Sequence, residues 1–149
     1  MNYPSDKTPI FRVKSRRLDQ NLLGMVWEEK LTAKAQRTQR EMEMLNQEAD
    51  AWFDRAKEQD ERGDFEGAIA SYDKAIKFKP DDHKVWNNRG LALFNLGQFE
   101  EAIASYDKAI EFKPDDHEAW NNRGLALDDL GRIEEAIASY DKAIEIKPD

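Results

Sequence analysis

The sequence predicts an all-α protein, an α-solenoid of three helix-turn-helix repeats that follows an N-terminal helical extension. The string AIASYDKAI occurs three times, each copy 34 residues after the last, at 68–76, 102–110 and 136–144. Two flanking strings keep this offset: WNNRGLAL at 86–93 and 120–127, and KPDDH at 79–83 and 113–117. Units of this length bury their apolar faces only by stacking on one another. The predicted repeats are 49–82, 83–116 and 117–149.

Length and composition exclude several classes of protein. The 149 residues suffice for one domain or a short array. There are 31 acidic and 23 basic side chains, a net charge of −8, which argues against nucleic-acid binding. The absence of cysteine excludes disulfides, thiolate metal sites and cysteine nucleophiles. Without a long apolar run or a secretory signal core, we expect a soluble, cytoplasmic protein that does not contact membranes.

The N-terminal residues divide into an arm and a helical extension. Residues 1–17 carry two prolines and five basic side chains with little apolar periodicity, which predicts a flexible basic arm. Helical spacing begins near Leu18, so 18–48 is predicted as the extension. Within it, Thr38 and Glu41 have the spacing of a capping box. The extension is therefore either two helices with a joint near 32–38 or one long helix.

Each repeat is predicted to contain two helices. In the second repeat, apolar residues recur at helical spacing over 83–96, and Gly97 can supply the left-handed residue that ends this first helix. A second helix follows from Phe99 and ends before Pro114. Asp116 then precedes the next helix, where an acidic side chain can cap free N–H groups.

Two glycines stand inside predicted first helices. Gly90 and Gly124 each cost about 1 kcal/mol relative to alanine, so we expect them to permit close approach of the partner helix. Small side chains of the second helices are expected to face them: Ala102, Ala109, Ala136 and Ala143. Trp86 and Trp120 are expected to fill the space beside each crossing.

The 34-residue period, with tryptophan, glycine, alanine, tyrosine, alanine and proline in that order, resembles the tetratricopeptide repeat. The resemblance covers 49–149. The first repeat departs most, with Ala56 in place of the glycine, and Arg55, Arg89 and Arg123 stand where many members carry leucine. The resemblance implies a right-handed solenoid that binds a peptide or a partner helix as a scaffold and is not an enzyme.

In this family the first helix of each repeat lines the concave face, which implies a set of peptide-binding residues. They are Lys84, Asn87, Asn88, Leu91, Phe94, Asn95, Asn121, Asn122, Leu125, Asp128 and Asp129. An amide offers both a donor and an acceptor, so the asparagines could hold a peptide backbone, and the neighbouring apolar residues could seat a ligand side chain. Alternatively, the asparagines are solvated or bonded between neighbouring repeats.

One branch of the family grips the C-terminal carboxylate of chaperones with lysines, an arginine and asparagines. Lys84, Asn88 and Asn122 match parts of that set, but Phe53 and Asn87 stand where a lysine is expected. Too few cations remain to neutralise a carboxylate, so the sequence argues against this clamp.

The distribution of charge suggests a basic ligand. Residues 49–149 carry a net charge of −10, whereas residues 10–40 carry +5. An acidic groove suits a basic partner. Alternatively, the acidic residues only keep the array soluble.

The alternative function is self-assembly into a homo-oligomer through the N-terminal helix or the last helix. Since no polar capping helix follows the third repeat, its last helix should expose apolar side chains. The predicted self-association residues are Leu18, Leu22, Met25, Val26, Trp27, Tyr140 and Ile144. Alternatively, the chain is a fragment of a longer array, and the nearly identical units could also reflect recent duplication or design.

Catalytic and cofactor signatures are missing from the sequence. It has no phosphate loop, no dinucleotide glycine pattern and no nucleophile elbow, so neither an enzyme nor a cofactor is expected. His83 and His117 stand 34 residues apart on equivalent positions of stacked helices, which is awkward for a shared zinc. We therefore expect no metal site.

Overall fold

The computed structural model describes residues 14–148, with side chains described from residue 20 onward. Over this range the chain forms six α-helices, which confirms the all-α prediction. Their bounds are α1 Lys14–Glu61, α2 Phe65–Phe78, α3 His83–Asn95, α4 Phe99–Phe112, α5 His117–Asp129 and α6 Ile133–Ile146. The described chain divides into two compact units between Glu43 and Met44, and α1 contributes residues to both.

The described part of the first unit is a single stretch of helix. It begins at Lys14, four residues before the predicted start at Leu18, and the rest of the predicted basic arm lies outside the described residues. The hydroxyl of Thr38 donates to the carbonyl of Lys34 at 3.1 Å, as inside a helix, and so does not cap a new one. Of the two alternatives, the extension is one long helix.

The side chains of residues 20–43 are all exposed. This includes four of the predicted self-association residues: Leu22, Met25, Val26 and Trp27. The fifth, Leu18, lies in the part of α1 whose side chains are outside the described residues.

In the second unit, residues 44–61 of α1 pair with α2, α3 pairs with α4, and α5 pairs with α6. Gly97 follows α3 with φ 74°, which confirms its predicted role in ending that helix. The amide of Gln98 then donates to the carbonyl of Leu93 at 2.9 Å and turns the chain back. Asp116 caps α5 as predicted, because its carboxylate accepts from the amides of Glu118 and Ala119. These turns place each second helix against its own first helix.

The close crossing inside each pair involves tyrosine, contrary to the expectation that alanines would face the glycines. A Cβ built on Gly90 would lie 2.5 Å from the Tyr106 ring, and one on Gly124 would lie 2.5 Å from the Tyr140 ring. Tyrosine rings occupy this position because a bare helix backbone gives a flat aromatic face room to lie against it. The tryptophans instead tie each first helix to the preceding turn, since Trp86 Nε1 donates to the carbonyl of Pro80 at 2.8 Å.

Consecutive repeats are joined by arginines of the first helices. The Arg89 guanidinium of α3 lies 2.7 Å from the Asp73 carboxylate of α2 and 2.7 Å from the Ser105 hydroxyl of α4. Arg123 repeats both contacts one repeat later, with Asp107 and Ser139. Since Ser105 is buried, the arginine satisfies a polar group that leucine could not. Each arginine therefore spans three successive helices.

Substituting alanine at the two helical glycines should have unequal effects on stability. Overpacking costs about 1–3 kcal/mol, against a gain of about 1 kcal/mol in helix propensity. Gly90→Ala should lower the free energy of unfolding, because the Tyr106 ring is fully buried and cannot move aside. Gly124→Ala should cost less, because Tyr140 is only half-buried and can rotate away. Urea unfolding of both variants measures the difference, and equal losses would contradict this account of the crossing.

Candidate functional site

The first helices α3 and α5 lie side by side and run in the same direction. His83 Nδ1, at the first residue of α3, lies 3.0 Å from Asp116 Oδ2, the N-cap of α5. Farther along both helices, Asn122 Nδ2 donates to Asn87 Oδ1 at 3.2 Å. Both contacts join N-terminal parts of the two helices, so equivalent side chains of successive repeats line one surface.

A cavity of about 440 Å³ opens on this surface between residues 53–57 of α1 and the N-terminal ends of α3 and α5. Its lining residues are Phe53, Lys57, His83, Lys84, Asn87, Asn88, Lys113, Asp116, His117 and Glu118. The lining therefore contains three lysines and two carboxylates, one of which caps α5. The acidic excess of the repeats does not extend to this cavity, and the positive ends of the α3 and α5 dipoles also favour an anion there.

The four predicted asparagines do not share one environment. The side chains of Asn87 and Asn122 hydrogen-bond to each other. These two asparagines thus follow the alternative prediction, in which the amides join neighbouring repeats. Asn88 is half-buried and lines the cavity, and its amide has no hydrogen-bond partner among the described residues. Asn121 is exposed and lines a second cavity of about 340 Å³ beside α6. Asn88 is therefore the amide best placed for a ligand.

The three apolar residues predicted to bind a ligand side chain differ in how exposed they are. Leu91 and Leu125 are 42% and 43% exposed and lie one turn after the asparagines on the same helix face. Phe94 is half-buried, packs on the core of the second and third repeats, and meets Phe99 edge-on with ring centroids 5.3 Å apart. The two leucines are thus available to a ligand, while Phe94 mainly supports the fold.

The far end of the same surface is polar and acidic. Asp128 and Asp129 are the last two residues of α5, and Asn95 is the last of α3. All three are exposed. The negative end of the α5 dipole lies here too, so this end favours a cation while the lysine end favours an anion.

Asp60 stands at the position equivalent to Phe94 and Asp128, but its side chain turns toward the core. The Tyr72 hydroxyl donates to Asp60 Oδ2 at 2.6 Å, and Asp60 Oδ1 is buried without a partner among the described residues. Burial raises the pKa of Asp60, and the hydrogen bond from Tyr72 lowers it by a smaller amount. Burial and the neighbouring carboxylate also raise the pKa of Tyr72. Asp60 therefore belongs to the packing of the first repeat.

Sequence reasoning missed several residues that line the larger cavity. Lys113 and His117 come from the KPDDH string between repeats, which was interpreted as a turn and a helix start. Lys57 of α1 also lines the cavity and is not among the predicted binding residues. One signal in the sequence could have identified them: the KPDDH string repeats a lysine and a histidine before two successive first helices. When the repeats stack, these turns lie beside the same surface. Among residues 20–148, no group of three or more candidate ligands forms a metal site.

Comparisons with known proteins agree with this architecture. A family model described as the tetratricopeptide repeat matches residues 53–117 and 88–149. The first TPR of Spaghetti (RPAP3), bound to the HSP90 peptide SRMEEVD, is 26% identical with a TM-score of 0.68, over 70% of this chain and 82% of that one. The TPR2B domain of yeast Sti1 in a pHsp70 complex is 31% identical with a TM-score of 0.63, over 69% and 80%.

A third similar structure is also a TPR domain. The Sgt2 TPR domain from Aspergillus fumigatus is 27% identical with a TM-score of 0.66, over 68% of each chain. No curated protein matches the chain. Within the part of the chain that the structure describes, none of the helices is both long and apolar enough to span a membrane.

The buried Asp60 carboxyl should make stability depend on pH. Its pKa in the folded state is raised above 3.8, so its protonation favours folding, and this contribution is lost as the pH rises through the folded pKa. Asp60→Asn keeps an oxygen that can accept from Tyr72 but does not titrate. Its stability relative to the unsubstituted chain should therefore increase from pH 4 to pH 7 in urea unfolding.

Tyr72→Phe serves as the matched variant for this test. It removes the hydrogen bond that lowers the pKa of Asp60, so it should make the fall in stability over the same pH range steeper. A difference between Asp60→Asn and the unsubstituted chain that stays constant with pH would contradict the assignment.

Proposed function

Because the chain belongs to the tetratricopeptide repeat family, we propose that residues 44–149 form a protein-interaction module that binds a peptide or helical segment. The ligand lies on the surface of the first helices and places an acidic group in the cavity beside Lys57, Lys84 and Lys113. The observation that carries the proposal is this cluster of three cations in a repeat region whose net charge is −10.

The lysines are available to a ligand. Among the described residues, none of the three has a carboxylate within 4.0 Å. Lys57 only approaches the Phe53 ring, with its ammonium 5.7 Å from the ring centroid. Lysines without an ion-pair partner, in a cavity at the N-terminal ends of α3 and α5, attract an anion, and a carboxylate there would gain charge-assisted hydrogen bonds.

The middle of the surface supplies contacts to the ligand backbone and to an apolar side chain. The Asn88 amide can both donate to and accept from a peptide unit. Leu91 and Leu125 lie beside it with much of their surface exposed. Covering them removes apolar area from water and adds affinity that does not depend on charge.

At the acidic end, Asp128 and Asp129 still favour a basic group. Only the part of the ligand that lies at this end needs to be basic. Lys84 is the second residue of α3 and Asp128 is the twelfth position in the equivalent helix α5. At about 1.5 Å per residue, these positions are separated by roughly 15 Å along the helix axis. An extended peptide covers that distance in four to five residues. A basic residue that precedes an acidic end by this spacing fits both ends of the surface.

The similar structures support a peptide of this kind. The peptide bound to the first TPR of Spaghetti, SRMEEVD, has an arginine near one end and acidic residues toward the other. In the present chain Phe53 and Asn87 occupy positions where a carboxylate clamp has lysine, which argued against such binding. Lys57 and Lys113 offer cations from other positions, so the cavity can still neutralise an acidic group.

Fluorescence anisotropy with labelled SRMEEVD tests the lysine end. Lys84→Ala should weaken binding roughly tenfold, since a hydrogen bond to a charged group contributes about 1.5–3 kcal/mol. Replacing all three lysines should abolish measurable binding, and raising the salt concentration should weaken it. Lys77→Ala removes an exposed lysine of α2 outside the cavity and should have no effect. Unchanged affinity in the triple variant, or no binding of the peptide at all, would refute the acidic-group proposal.

A double-mutant cycle tests the acidic end. The peptide SAMEEVD, which lacks the arginine, should bind the unsubstituted chain more weakly than SRMEEVD. With Asp128→Asn and Asp129→Asn combined, the two peptides should bind equally, because the arginine no longer has a partner. If the preference for arginine survives both substitutions, the ligand does not extend to this end.

A further inference from the structure

Both junctions between consecutive repeats use the same polar contacts. An aspartate in the middle of each second helix pairs with an arginine of the next first helix: Asp73 with Arg89 at 2.7 Å, and Asp107 with Arg123 at 2.6 Å. At both internal junctions, a repeat thus offers an aspartate of its second helix to an arginine of the helix that packs on it.

Between the second and third repeats, two further contacts join the first helices. His83 meets the N-cap Asp116, and Asn87 meets Asn122. At this junction a histidine of the second repeat contacts an acidic N-cap of the third. An asparagine contacts a polar side chain, and an aspartate pairs with an arginine.

The face formed by α5 and α6 presents the same receiving set. His117, Asn121 and Asp141 are the repeat equivalents of His83, Asn87 and Asp107. Among the described residues, none of the three has a side-chain hydrogen-bond partner. His117 and Asn121 line the cavity of about 340 Å³, together with Tyr140 and Ile144.

The apolar side chains of this face are exposed in the same pattern. Ile103 of α4 is 7% exposed under the third repeat, whereas its equivalent Ile137 on α6 is 53% exposed. Ile144 is 60% exposed, although its equivalent Ile76 packs against the core. The exposed face of α5 and α6 therefore resembles the faces on which, elsewhere in the array, the first helix of the next repeat packs.

A segment of α1 carries the complementary set at the required spacing. Arg55 is equivalent to Arg89 and Arg123, and Glu48 is equivalent to the N-cap Asp116. Asp54 takes the position of Asn122 and can accept from the Asn121 amide. Arg55 is exposed and, among the described residues, has no carboxylate within 4.0 Å; it stacks over the Trp52 ring at 5.1 Å.

We propose that the exposed face of α5 and α6 binds residues 48–55 of α1 from a second copy of the chain, so that copies associate head to tail. The contacts are Asp141 with Arg55, His117 with Glu48, and Asn121 with Asp54. They reproduce the register of the junction between the second and third repeats, while Ile137, Tyr140 and Ile144 become covered. Because the two surfaces differ, the association is heterologous and extends to chains of copies at high concentration.

Sedimentation velocity of the full 149-residue chain from about 10 µM to 1 mM tests the association. The weight-average sedimentation coefficient should increase with concentration. Asp141→Arg and Arg55→Asp each place like charges at the junction. Each should therefore weaken the association and raise its apparent dissociation constant at least tenfold. Both variants should fold, because Asp141 and Arg55 are exposed, and circular dichroism checks this.

The charge swap makes the test specific. Combining Asp141→Arg with Arg55→Asp in one chain restores the opposite charges and should restore association, as should mixing the two single variants. Asp81→Arg makes the same charge change in an exposed turn and should leave association unchanged. A chain that stays monomeric at 1 mM, or association that both single variants retain, overturns the proposal. So does a double variant that fails to associate, which would indicate a different occupant of the face.

Discussion

The register between consecutive repeats depends on the arginine that bridges three helices. Arg89 holds α2 through Asp73 and α4 through Ser105, and Arg123 does the same one repeat later. An apolar residue at this position could slide along its neighbours, whereas an ion pair and a buried hydroxyl fix the position of the helix. The alignment of Asn87 with Asn122 and the formation of the lysine cavity both follow from this register.

The distribution of charge decides what the array can bind. The repeats are acidic as a whole, yet stacking collects three lysines from α1, α3 and the turn before α5 around one cavity. Because Coulomb interactions fall off within about 10 Å at moderate salt, a ligand experiences this local cluster more than the net charge. On the same surface α5 ends in Asp128 and Asp129, so this surface offers both signs of charge in a fixed order.

Departures from the repeat consensus occur mainly at the first repeat. Ala56 replaces the glycine, Asp60 accepts a hydrogen bond from the tyrosine, and Arg55 stacks on Trp52 with no carboxylate within 4.0 Å among the described residues. The second repeat packs against a neighbour on each side, whereas the first repeat packs, within residues 44–148, against the second repeat alone. Its side chains can therefore carry charges that a second copy, instead of the same chain, would satisfy.

The sequence by itself determined the all-α fold and the ends of helices within the repeats, because these depend on local spacing and on capping residues such as Gly97 and Asp116. It did not determine which side chain meets which across the array. Tyr106 rather than alanine lies on Gly90, Asn122 bonds to Asn87 and leaves Asn88 available, and Lys57 and Lys113 share a cavity. These pairs are separated by 16 to 56 positions, and only the packing of the helices brings them together.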